Sequence, residues 1–137
     1  MSQYMLLVYE EELDPAEQAE REKGLPMLVE LHAGLREAGL LVGVQRLHSV
    51  GSATSVRVRD AEMEITDGPF AVTKEILAGY YILDCADLDE AIAQAARLPM
   101  ARWGTVEVRP VMAPDEWLRV ARRAGADVPD EAVSELA

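Results

Sequence analysis

The residues of this sequence best placed to do chemistry surround an Asp-Gly-Pro-Phe turn at residues 67–70. Asp followed by Gly is a turn signal, Pro69 fixes one backbone dihedral beside Gly68, and Phe70, the only Phe in the chain, is expected to anchor the loop in the core. Asp67 then has two possible uses. It accepts backbone amides as an ordinary turn residue, or it presents a carboxylate at the mouth of a cleft as a general base or orienting group. Lys74 and Glu75 follow shortly after. An ammonium there either holds an anionic ligand and donates a proton, or forms a surface ion pair of little consequence.

The two histidines are far apart in sequence. His48 is expected late in the second strand, near the Asp67 turn, and with Lys74 it is a candidate to assist that carboxylate. His32 lies on the first helix, offset from the Leu28, Leu31 and Leu35 stripe and half-exposed. Two histidines so placed form no recognised metal spacing, so no metal and no cofactor is expected. Tyr80 and Tyr81 alternate along a strand, one toward the helices and the other toward an open face, where a phenol can bind a ring or polarise an oxygen. Arg57 and Arg109 are candidates to hold a carboxylate ligand in the same cleft, while Arg59 belongs to a hairpin surface.

These side chains need a frame. Residues 4–9 form an apolar run of strand length. Asp14-Pro15-Ala16-Glu17 is a helix start with a capping carboxylate and Pro at the first position, and Gly24 and Pro26 split this helix into an entry piece and a main piece. Gly39 is a natural end to it. Residues 42–50 read as an irregular strand, residues 53–58 and 62–66 as a hairpin turning at Arg59-Asp60-Ala61, and residues 79–84 as another strand. Asp87-Leu88-Asp89-Glu90 opens a second helix that Pro99 stops, and residues 105–110 are a last strand. The order predicts an α+β, ferredoxin-like antiparallel sheet with two helices on one face and an inserted hairpin. The other face is left bare, and a second subunit is its simplest cover, which predicts a homodimer with facing sheets. Residues 113–137 form a C-terminal helical extension to a domain at residues 1–112. Trp117, Leu118, Ala121 and Ala124 give it a stripe ending at Gly125, with another short helix after Pro129. This extension packs on its own domain or its mate, or docks on another protein.

Composition narrows the partners. With 25 acidic against 13 basic side chains the formal net charge is −12, which repels nucleic-acid phosphates and anionic lipid. Cys85, the only cysteine, excludes an intrachain disulfide and reads as a packed, inert thiol. The first apolar segment is too short for a signal peptide or a membrane span, so the cytoplasm is the expected compartment.

Residues 66–75, followed by Gly79-Tyr80-Tyr81-Ile82-Leu83-Asp84, resemble the signature of the YCII-related superfamily in its DGPF branch. Residues 4–9, 87–91 and 106–111 match as well, so the resemblance covers roughly residues 3–112 with its parts in the right order. It implies a dimeric α+β barrel. For function it implies less, since most DGPF proteins have no established activity and some are encoded beside, or fused to, extracytoplasmic-function sigma factors. The wider group includes proteins with a His–Asp pair in a cleft, the His lying early on the first helix, and a dechlorinating enzyme of aromatic degradation resembles them. In this chain Met27 stands near that position and His32 elsewhere. Two readings follow: a small-molecule-binding, enzyme-like protein with Asp67 in an inter-sheet cleft, or a non-catalytic ligand- or protein-binding module, which the resemblance links to sigma-factor regulation.

Overall fold

The computed structural model describes residues 1–132. Strand β1 (Ser2–Glu11) runs through the middle of a four-stranded sheet of order β2-β5-β1-β6, all antiparallel. Its neighbours are β5 (Glu75–Cys85) and β6 (Thr105–Pro110), and β2 (Leu41–Arg46) pairs with β5 at the edge. Disregarding the inserted hairpin, this is the strand order of a ferredoxin-like sheet.

The helices begin and end where short-range chemistry dictates. Asp14 Oδ1 accepts the Glu17 amide at 2.8 Å and starts α1 (Pro15–Glu22). Gly24 separates it from α2 (Leu25–Glu37), which Gly39 ends with φ at +74°, letting the Leu40 amide return to the Leu35 carbonyl at 3.0 Å. Asp87 Oδ1 accepts the Glu90 amide at 2.9 Å and starts α3 (Leu88–Arg97). The expected split of the first helix is therefore present, and so are both capping carboxylates.

Alternation along the strands decides what meets the helices. Leu6 and Val8 of β1 and Tyr81, Leu83 and Cys85 of β5 point to one face, where they pack with Leu28 and Leu35 of α2, Ala91 and Ala95 of α3, and Leu98. Cys85 is fully buried and burial raises its thiol pKa, as suits an inert packed group. Met5, Leu7, Tyr80 and Ile82 alternate onto the opposite face and are half-buried.

Two boundaries and the placing of the hairpin refine the sequence expectation. Strand β2 stops at Arg46 rather than near residue 50, because a 3-10 turn (Val50–Ser52) is held to the end of β1: Glu12 Oε1 accepts from Ser49 Oγ at 2.6 Å and from the Val50 amide at 2.9 Å. These two donors lower the Glu12 pKa, Ser49 first. Strand β5 starts earlier than expected, at Glu75, extending the pairing with β1 across a bulge at Val8/Tyr9. The inserted hairpin, β3 (Thr54–Arg59) and β4 (Glu62–Asp67), is a separate two-stranded sheet. Asp60 and Ala61 form its tip at φ +51° and +63°, the paired left-handed backbone of a type I′ turn. Helix α4 (Pro114–Arg123) follows β6 and buries Leu118. The short helix expected after Pro129 falls largely outside the described residues.

Gly79 of β5 is the tightest point where the edge strand meets the sheet. A Cβ there would sit 2.5 Å from the Gln45 carbonyl oxygen and 3.3 Å from Arg46 Cα, so backbone rather than a flexible side chain would have to move. Gly79→Ala should destabilise the protein by about 1–3 kcal/mol in chemical denaturation. Unchanged stability would show that β2 is not held this closely.

Candidate functional site

The same glycine opens a hole in the helix-facing layer. Across the sheet, Val8, Gly79 and Arg46 form one row and Leu6, Tyr81 and Val44 the next. The first row lacks a central side chain. Leu25 and Leu28 of α2 and Met100 close the space from the other side, leaving a cavity of about 60 Å³. Tyr81 forms part of its wall and is only 3% exposed.

The Tyr81 hydroxyl is hydrogen-bonded to His32 Nε2 of α2 at 2.6 Å, with the two rings edge to face at 69°. Burial pushes the Tyr81 phenol up to about 12, with Arg46 opposing the rise and Glu10 adding to it. His32 is shifted the other way, below its ordinary value, by burial first and by the Arg36 cation second. Both shifts favour the uncharged forms, so near neutral pH the pair shares one hydrogen-bonding proton between oxygen and nitrogen, and the imidazole tautomer sets which of them donates. In the tautomer whose Nε2–H donates to the phenol oxygen, the Tyr81 O–H is left free to donate to a ligand oxygen.

Glu10, Arg46 and Ala78 line the cavity and also an outer groove of about 250 Å³, so the two spaces adjoin. Glu10 receives the Trp103 indole N–H at 3.4 Å, and the Arg21 guanidinium lies over that indole at 4.5 Å. Glu12 at the groove wall is occupied by the Ser49 and Val50 donors.

The residues expected to carry chemistry are dispersed. Asp67 lies at the end of β4 opposite Thr54, exposed, and its carboxylate makes no hydrogen bond or ion pair among the described residues. The turn is held instead by its backbone: Gly68, at φ +92°, donates to the Ala53 carbonyl at 2.7 Å, and Ser55 Oγ donates to the Gly68 carbonyl at 2.9 Å. Pro69 is exposed. Phe70 is 80% exposed and does not anchor the loop in the core, because the hairpin stands apart from the packed layers. Lys74 pairs with Glu11 at 3.3 Å with its side chain 86% exposed, a surface contact worth little. His48 lines the outer groove, whose lining does not include Asp67. Arg57 is exposed on the hairpin opposite Glu64, while Tyr80 and Arg109 belong to the uncovered sheet face, Arg109 opposite Met5.

His32 is half-exposed, as expected from its offset from the Leu28, Leu31 and Leu35 stripe, but that stripe does not show its reach to Tyr81. Leu25, Leu28, His32 and Leu35 are spaced by three, four and three residues, which puts the imidazole on the sheet-facing side. On the same logic Tyr81 shares parity with Leu83 and Cys85 and had to point inward.

The lowered His32 pKa has a thermodynamic consequence. An unfolded histidine accepts a proton near 6.5 that the folded His32 refuses, so protonation favours unfolding. Its contribution is complete above about pH 6.5 and is lost as pH falls from there toward the folded pKa. Thermal melts from pH 7.5 down to about 5 should therefore fall more steeply for the wild type than for His32→Gln. Parallel curves would contradict the buried pair.

A family model for the YCII-related domain matches residues 2–117. An uncharacterized protein of Rhizobium meliloti (strain 1021) is 47% identical over 77 residues, which cover 55% of this chain and 62% of that protein's length. The matched segment thus spans less than two thirds of the curated relative. The sheet order and the family match over most of the chain lead to one conclusion: this protein belongs to the YCII-related family.

Proposed function

We propose that this chain is a small-molecule-binding, enzyme-like protein of the DGPF branch, acting in the cytoplasm through the cavity beside Tyr81. The observation that carries this reading is the 2.6 Å contact by which His32 holds the hydroxyl of Tyr81, a residue of the cavity wall. A buried phenol held by a half-buried imidazole in one geometry forms a proton donor that needs no rearrangement when a ligand arrives. Asp67, exposed and unpartnered, contributes the family's turn and not the reacting group.

Small molecules retained by the purified protein, identified by native mass spectrometry, supply the assay. Tyr81→Phe and His32→Gln should keep the circular dichroism of the wild type while lowering turnover by about 10²–10⁴-fold, the usual share of a general acid or base. Asp67→Asn should leave turnover nearly unchanged, and an equal loss there would return the chemistry to the turn. Binding without turnover in the wild type would make the protein a ligand-sensing module instead.

We also propose that a second copy covers the uncovered sheet face. Met5, Leu7, Tyr80 and Ile82 supply an apolar patch there, and a one-sided sheet is stable only when such a patch is covered. Light scattering at micromolar concentration should give twice the 15.0 kDa chain mass, and Ile82→Glu should shift it to the single-chain mass. A strict monomer for the wild type would remove this proposal.

A further inference from the structure

Resting on the Tyr81 cavity as the binding site, we propose that its ligand is a small zwitterion: a carboxylate and an ammonium at one end, and a short uncharged group at the other. The polarity of the site is graded along its length. Away from the charged residues, Tyr81 stands among Leu25, Leu28 and Met100, with its hydroxyl bonded to His32 behind the wall. An ionic group pushed in there would lose its hydration without meeting an opposite charge. At the mouth the situation reverses. Glu10 and Arg46 both face the helix side of the sheet, on strands separated by β5, and both line the cavity and the outer groove.

These two charges do not neutralise each other. Arg46 makes no ion pair among the described residues, and Glu10 holds only the long indole contact from Trp103. The other carboxylates of the groove wall are engaged, Glu11 by Lys74 and Glu12 by Ser49 and Val50. One unpaired anion and one unpaired cation therefore flank the entrance. A ligand carrying both charges satisfies both, its carboxylate on the Arg46 guanidinium and its ammonium on Glu10. A simple anion would meet Glu10, and a simple amine would meet Arg46. The cavity as a whole, Glu10 and Arg46 included in its lining, has about 60 Å³, which favours a short uncharged end such as the side chain of alanine or serine.

The test follows the His32 ring signals by NMR while L-alanine, L-serine, L-phenylalanine, propanoate and ethylamine are added separately. Alanine and serine should move the signals saturably, with propanoate and ethylamine roughly tenfold or more weaker, each lacking one charge-assisted partner. Phenylalanine should be excluded by volume. In Arg46→Gln and Glu10→Gln, checked for folding by circular dichroism, alanine should weaken by a similar factor. Propanoate or ethylamine binding as tightly as alanine would overturn the zwitterion while leaving the cavity a binding site. If no probe moves the signals, the zwitterion assignment falls; if the molecules retained by the wild type also fail to move them, the cavity reading falls with it.

Discussion

The close approach of β2 to β5 at Gly79 is the constraint on which the rest of this structure depends. Edge strands are held by backbone hydrogen bonds on one side only, so their position is set by what the neighbouring strand allows. With no side chain at residue 79, the Gln45 carbonyl can lie where a Cβ would otherwise be. The missing side chain also breaks the apolar layer beneath the helices, between Val8 and Arg46. One residue thus brings the edge strand in and creates the space that makes the helix-facing side more than a packed core. A larger residue would close the cavity and displace the strand together.

A polar pair beside that space has to justify its burial energetically. A phenol or imidazole taken from water without a partner costs about 1–3 kcal/mol, whereas a satisfied hydrogen bond makes the burial nearly neutral. Tyr81 and His32 satisfy each other, and they do so without charge, which avoids the far larger penalty of an isolated ion. The burial of Tyr81 depends on its partner. Tyr81 alone would be a buried, unpaired hydroxyl in a layer built mostly of Leu, Val, Ala and Met, whereas the half-exposed His32 can also turn to water. Phe and Leu at these positions would pack as well, so packing alone gives no account of why the pair is there.

Much of the frame was legible in the sequence because it is decided over four or five residues. Asp14 and Asp87 each accept an amide three residues on, and Gly39 adopts the left-handed backbone that ends α2. Strand parity placed Tyr80 and Tyr81 on opposite faces. The site was less legible because it is assembled from elements distant in sequence. His32 and Tyr81 are 49 residues apart, and only the inward stripe on α2 and the parity of β5 hint at their meeting. Glu10 and Arg46 read as ordinary surface charges until the strand order puts them at one opening. The error at Phe70 has a different origin. A lone aromatic beside a turn suggests an anchor, but whether a core lies within reach is a tertiary fact that no local pattern contains.

The hairpin shows why a specific sequence mark need not be a reactive one. Val56 faces Ile65 and Val58 faces Met63, so these four residues share one side, and all are between 59 and 66% exposed. The opposite side pairs Arg57 with Glu64 and Arg59 with Glu62. An isolated two-stranded ribbon is marginal in water, and one with a bare apolar face is a surface waiting to be covered. The type I′ tip at Asp60-Ala61 fixes the register at one end, and the Gly68 backbone bonds secure the other. Asp67-Gly68-Pro69-Phe70 therefore sits where the ribbon rejoins the chain, a place where backbone geometry is demanding and small changes would misdirect the whole arm. The demand for Gly68, at φ +92°, and for a rigid Pro69 beside it follows from the turn itself, without any reaction at the Asp67 carboxylate.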